Sequence, residues 1–204
     1  TIVGIGTTII TATQAETDNY YASEEIIAEL VVKKASPDLT NFSIPTQTFG
    51  NAPFTITAPI SNSDGSFTYT SSNALVSISG STITIVGIGT TIITATQAET
   101  ANYVSRTVTA TLDVNKASPD LTNFSIPTKF YGDSPFTIIA PLSYSDSSFT
   151  YTSSDPNIAT IYGNTIEIYG IGRVNITATQ LESKYFTSDT ITSSFIVTTI
   201  PGIC

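Results

Sequence analysis

Between Arg173 and Thr179 polar and apolar side chains alternate: Val174, Ile176 and Ala178 are separated by Asn175 and Thr177. A period of two is the mark of a strand with one wet and one buried face. The stretch Thr90–Thr96 aligns with it and puts Thr91, Ile93 and Ala95 at the inward positions. Ile92 then stands where Asn175 stands, so it is expected to be exposed despite being apolar. The same pattern recurs in Phe67 and Tyr69 against Phe149 and Tyr151, and in Ile83 and Ile85 against Ile166 and Ile168. Phe54, Ile56 and Ala58 align with Phe136, Ile138 and Ala140, and Leu39, Phe42 and Ile44 with Leu121, Phe124 and Ile126. The last strands are Ile26–Val32, Val108–Val114 and Ile191–Val197. Gly, Pro, Asn and Ser separate these runs, and no segment carries a helical period. About seven strands per unit are expected, in all-β sandwiches.

The alignments rest on internal repetition. KASPDLTNFSIPT occurs at 34–46 and again, unchanged, 82 residues later at 116–128. Gly-Ile-Gly occurs at 4–6, 87–89 and 170–172, spaced by 83. The chain therefore divides into 1–33, the C-terminal part of a repeat without its first half; 34–115, a whole repeat; and 116–204, a whole repeat with a short tail. Thirty-three residues of sandwich strands cannot bury a core alone. Two completions are open: the sequence is an excerpt of a longer array, or another subunit adds strands to 1–33. No Gly/Ser-rich linker separates the repeats, and Pro37 and Pro119 stiffen the passages between them. A rod is expected, at roughly 30–40 Å per unit from strand rise.

The run Ser153-Ser154-Asp155-Pro156-Asn157-Ile158-Ala159-Thr160-Ile161, followed by Gly170-Ile171-Gly172 and Val174–Thr179, resembles the bacterial immunoglobulin-like repeat of intimin and invasin type. The second repeat keeps the frame with Ser71-Ser72-Asn73, and the first keeps only Gly4–Thr13. The resemblance implies tandem immunoglobulin-like sandwiches and an extracellular setting, on a cell surface or a virion surface. It implies a stalk, appendage or adhesin.

Composition narrows the function classes. With 7 basic and 16 acidic residues the net charge is −9, which disfavours phosphate backbones. Lys33-Lys34 is the one basic pair, too little for an anionic membrane surface. No apolar run reaches about 20 residues, so no membrane insertion is expected in this segment. Thr1–Gly4 is no export signal, and any such signal or anchor is expected elsewhere in the protein.

Histidine is absent, which removes Ser-His-Asp and Cys-His arrangements and most zinc sites. Gly-Ile-Gly lacks the third glycine and the following helix of a dinucleotide loop, so it reads as a tight turn. Asp64, Asp146, Glu99 and Glu182 read as solvated loop charge. No catalytic residue and no cofactor is expected. Calcium is the one ion worth weighing, through Asp18, Glu24, Glu25 and Asp113, although their spacing matches no established loop. Tyr20, Tyr103 and Tyr185 are read as one structural position before each last strand. Tyr21, Tyr131, Tyr144 and Tyr162 are less regular and are candidates for surface contact with a glycan or protein. Asn41, Asn123 and Asn175 open N-glycosylation sequons. Lys34 and Lys116 have no evident acid partner for a lysine–asparagine cross-link. Cys204 is a lone thiol, a candidate for an intermolecular bond. The expected role is a non-catalytic spacer whose partners are neighbouring repeats or other copies of the protein. Direct adhesion to a host glycan or protein, and a fibre subunit assembled through 1–33, are the alternatives.

Overall fold

The computed structural model describes residues 1–200, and Cys204 lies outside the described residues. Strands β1 (Gly6–Ala12) and β2 (Ile26–Val32) form an antiparallel hairpin with Gly6 opposite Val32. Residues 34–115 supply β3 (Leu39–Thr40), β4 (Gln47–Thr48), β5 (Phe54–Thr55), β6 (Ile60–Ser61) and β7 (Phe67–Ser71), then β8 (Val76–Ser79), β9 (Thr82–Ile85), β10 (Gly89–Gln97) and β11 (Arg106–Asn115). Residues 116–199 supply β12 (Lys129–Phe130), β13 (Phe136–Thr137), β14 (Phe149–Ser153), β15 (Ala159–Tyr162), β16 (Thr165–Ile168), β17 (Gly172–Gln180) and β18 (Asp189–Thr198). Among the described residues no helix is long and apolar enough to cross a membrane.

One four-stranded sheet has the order β4-β11-β10-β7 and a three-stranded sheet the order β5-β9-β8. The repeat that follows has the same two sheets, β12-β18-β17-β14 and β13-β16-β15. Four strands against three, with sequence neighbours often in different sheets, is an immunoglobulin-like sandwich. The first strand of each four-stranded sheet, β4 or β12, runs parallel to the last strand of its repeat. The chain forms two compact units. One is Thr1–Thr46, Ala52–Val86 and Thr90–Asp113; the other is Gln47–Asn51, Gly87–Gly89 and the described residues from Val114 on.

In the second unit the core is one cluster. Val174, Ile176 and Ala178 of β17 and Phe195 and Val197 of β18 meet Ala159, Ile166 and Ile138 from the facing sheet, with Phe124 and Ile126 beside them. In the first unit Ile93, Ala95 and Leu112 are sealed with Ile83 and Ile56. Ile92 is exposed and Asn175 faces water, as the alternation requires. The pattern fails at one place. Ala58 and Ala140 are exposed, and the prolines after them, Pro59 and Pro141, are buried instead. Regular pairing stops at Thr55 and Thr137, so the period of two ends before it reaches the alanines.

The Gly-Ile-Gly turn is a backbone requirement. Gly6, Gly89 and Gly172 have φ of 134°, 115° and 146°, a region closed to residues with a Cβ. A Cβ on Gly172 would also come within 2.8 Å of Ile158 Cδ1. Gly172→Ala should lower stability by about 1–3 kcal/mol, read from the urea midpoint.

Burial raises the phenol pKa of Tyr69 and of Tyr151, and the hydrogen bond from Tyr169 to Glu167 raises that of Tyr169. A raised acid holds its proton in the fold longer than in the unfolded chain. The resulting stability is full below the ordinary phenol pKa near 10 and is lost as pH climbs through the folded value. Ultraviolet titration should show a late-ionising group of tyrosines that shrinks in Tyr151→Phe.

Candidate functional site

The polar side chains that the fold does bury are engaged in holding it together. On β10 the inward series Thr91, Ile93, Ala95 continues to Gln97, which is 0% exposed. Its Nε2 donates to the carbonyls of Ser63 (3.0 Å) and Gly65 (2.9 Å), and its Oε1 accepts from the Ser61 hydroxyl (2.7 Å). Gln180 repeats this arrangement with the carbonyls of Ser145 and Ser147 and the hydroxyl of Ser143. An amide with both hydrogens and its oxygen satisfied can be buried without a large penalty. Each glutamine latches the loop before β7 or β14 onto the end of the central strand. Thr91 bonds Ser71 Oγ (2.7 Å) and Ser72 Oγ (3.2 Å); the matching residue in the next repeat is Val174, which needs no partner.

A second arrangement ties the start of each repeat to the turn before its last strand. Lys34 pairs with Glu99 and donates to the Thr100 carbonyl at 2.7 Å. Lys116 pairs with Glu182 and donates to the Ser183 carbonyl at 2.7 Å. These acids are therefore not free loop charges, and the two lysines do have acid partners, in glutamates 65 and 66 residues away. Among the described residues no asparagine is buried, so each arrangement is an ion pair and not a cross-link. As half-exposed pairs each is worth about 0–1 kcal/mol. Other basic groups are also occupied. Arg106 donates to the Pro37 carbonyl and stands 3.8 Å from Asp38, Lys129 lies over the Phe136 ring, Lys184 lies over the Tyr185 ring, and Arg173 donates to Ser194.

The structure corrects one alignment. Thr100 N donates to the Tyr103 carbonyl and Ser183 N donates to the Phe186 carbonyl, while Thr17 N donates to the Tyr20 carbonyl. Phe186, not Tyr185, therefore matches Tyr103 and Tyr20. Tyr185 takes the place of Asn102 and Asn19. In the second compact unit it has its own role. The Phe49 ring stacks on Tyr185 with centroids 4.3 Å apart and 8° between planes, and meets Phe186 edge-on at 6.2 Å.

The four tyrosines singled out for surface contact are all exposed, Tyr21 and Tyr162 at 92%. They stand on separate segments, three on loops and Tyr162 at the end of β15. Tyr21 follows the Thr17–Tyr20 turn, Tyr131 follows β12, Tyr162 opens the β15–β16 turn, and Tyr144 lies beside Leu142. Tyr144, Leu142, Ser143, Asp120 and Thr122 line a shallow groove of about 330 Å³. Asn41 and Asn123 have φ of 56° and 57°, a left-handed conformation that asparagine tolerates better than most residues, so these sequon asparagines also serve a turn. Asn175 is exposed on β17, and its backbone N–H donates to Ser154 Oγ at 2.9 Å. Among the described residues no group of three or more His, Cys, Asp or Glu could hold a metal ion. Asp113, one of the acids weighed for calcium, instead accepts a 2.6 Å hydrogen bond from Thr90.

Gln97→Leu removes three hydrogen bonds and leaves two loop carbonyls without a donor. It should cost about 3 kcal/mol of stability, whereas Lys34→Ala should cost about 1 kcal/mol or less, both measured by urea unfolding.

No family model matches this chain, and no curated protein does. Solved structures similar to it at low scores include the following three. Drosophila N-cadherin EC1-4 is 12% identical with a TM-score of 0.37, over 96% of this chain and 58% of that one. Human protocadherin-24 EC1-2 is 12% identical with a TM-score of 0.35, over 82% of this chain and 100% of that one. A SusE-like surface located polysaccharide binding protein from the Bacteroides thetaiotaomicron heparin utilisation locus is 18% identical with a TM-score of 0.31, over 94% of this chain and 38% of that one. The chain thus spans just over half of the N-cadherin structure and well under half of the Bacteroides protein.

Proposed function

We propose that this chain is a non-catalytic spacer segment of a surface-exposed protein, in the manner of the bacterial immunoglobulin-like stalk repeats that its Ser153–Thr179 run resembles. The observation that carries this reading is what the repeats keep and what they vary. The inward strand faces, the buried glutamines, the Lys–Glu pairs and the Gly-Ile-Gly turns recur. The exposed tyrosines do not: Tyr131, Tyr144 and Tyr162 stand where residues 34–115 have Phe49, Asn62 and Ser79, and Tyr21 stands where they have Val104. A chain that repeats its framework and not its surface chemistry supplies length. An acidic surface most of whose few cations are internally engaged fits an extracellular setting without nucleic acid.

A second reading, direct adhesion to a glycan, has one observation in its favour. Tyr144 lines the shallow groove together with Leu142, Asp120 and Thr122, and a tyrosine near an aspartate and a threonine suits a sugar. A glycan array decides between the two. The spacer reading expects no saturable binding by the chain. Binding that disappears in Tyr144→Ser, with the fold intact by circular dichroism, would establish adhesion in its place.

A further inference from the structure

Residues 1–17 and 84–100 have one and the same sequence, TIVGIGTTIITATQAET. In the second occurrence the inward series is sealed, with Ile93 and Gln97 at 0% exposure. In the first, Thr8, Ile10, Ala12 and Gln14 are all exposed, Ile10 at 52%. Across the hairpin Leu30 is 42% exposed where its counterpart Leu112 is at 0%. Along residues 1–17 the sequence is unchanged, so the difference there lies in what covers the face.

The sister repeats say what that cover is. Over β10 and β11 it is residues 34–83: β7 pairs with β10 in the register Ile93 to Ser71 and Gln97 to Phe67, and Ile56, Val76 and Ile83 close the core. Two polar positions make the match specific. Gln97 takes the carbonyls of a Ser-x-Ser-x-Gly loop, and Gln180 those of Ser-x-Ser-x-Ser; Gln14 stands at the same place, exposed. Glu99 and Glu182 take the lysine that opens the cover, and Glu16 stands at their place, exposed. Apolar complementarity, hydrogen-bonding complementarity and charge complementarity all point to one kind of partner.

We propose that the face of the β1–β2 hairpin carrying Thr8, Ile10, Ala12, Leu30 and Val32 docks a further polypeptide half-repeat of the 34–83 type. This partner brings a lysine to Glu16, a Ser-x-Ser-x-Gly/Ser loop to Gln14, and a Phe-Thr-Tyr-Thr-Ser strand along Ile10–Gln14. A second copy of this chain is not the occupant. Among the described residues the two stretches of this type are already seated on their own hairpins, β7 paired to β10 and β14 paired to β17, so neither is free to cover a neighbour without opening the face it leaves. The proposal is independent of the spacer reading, because it concerns completion of a fold and not what the finished protein contacts.

The test compares the chain with a version carrying an extra copy of residues 34–83 joined ahead of Thr1. Amide exchange is followed by NMR in β2, whose sequence occurs once. In the unextended chain β2 should exchange far faster than β11, and the extension should slow it by about 100-fold or more, toward the level of β11. Gln14→Leu in the extended chain should give back about 10-fold of that protection, while Ile9→Thr on the outward face should give back none. As a check that does not depend on the extension folding, the peptide SNSDGSFTYTS (residues 61–71) is titrated into the unextended chain. Saturable shifts of the Gln14 side-chain amide are expected. The proposal is overturned if β2 is already as protected as β11 in the unextended chain, if the unextended chain dimerises with β2 protected, or if neither extension nor peptide changes β1 and β2.

Discussion

A strand with a period of two has a face that must be taken out of water, and the central strands of these repeats depend on that. Ile93 and Ala95 on β10, and Val174, Ile176 and Ala178 on β17, are buried only because a second sheet lies across them. Each large aliphatic side chain so covered contributes about 1.5–3 kcal/mol relative to its exposed state. The other recurring features serve to seat that second sheet. The glycine of positive φ starts the central strand, the glutamine fastens the loop that leads into the neighbouring strand, and the lysine sets the beginning of the repeat against the far turn.

Much of this was legible in the chain itself, for reasons that differ from residue to residue. The inward face of 173–179 reads directly, because Arg173 and Asn175 mark the wet side. Ile92 is ambiguous alone and becomes readable only beside Asn175. Gln97 lies one step further along the inward series from Ala95, so its burial follows from the period, but what satisfies it does not: its partners are 32 to 36 residues away. Lys34 and Glu99 are separated by 65 residues, and no local pattern links them. The alanines at 58 and 140 mislead because alternation is a property of paired strand, and pairing stops before them. Tyr185 misleads because a loop one residue off in alignment still offers a tyrosine.

The candidate surface residues were legible as exposed but not as a site. Exposure follows from position on turns, which the Gly and Pro punctuation reveals. Convergence on a ligand is a matter of three-dimensional placement, and Tyr21, Tyr131 and Tyr144 stand on three separate loops while Tyr162 ends strand β15. The asparagines of the first two sequons show the same limit. Their left-handed backbone gives them a reason to be asparagine that has nothing to do with a sugar.

Near-identical repeats carry a hazard of topological isomerism, and the two residues between Val32, the end of the first hairpin, and Ala35 bear on it. Strand β1 matches β10 in sequence, so residues 34–83 could in principle fold onto the hairpin before them instead of the one after. In the native arrangement Ala35 sits beside Tyr103, before β11 begins, while Val114 is at the other end of that ten-residue strand. A swapped fold would need Val32 at the Val114 end and Ala35 at the Tyr103 end, roughly 30 Å apart by strand rise. Only Lys33 and Lys34 lie between Val32 and Ala35, and three residue steps reach about 10 Å at most. The tether is too short for the circularly permuted pairing. Tight spacing, rather than sequence divergence, is what tells two identical strands apart.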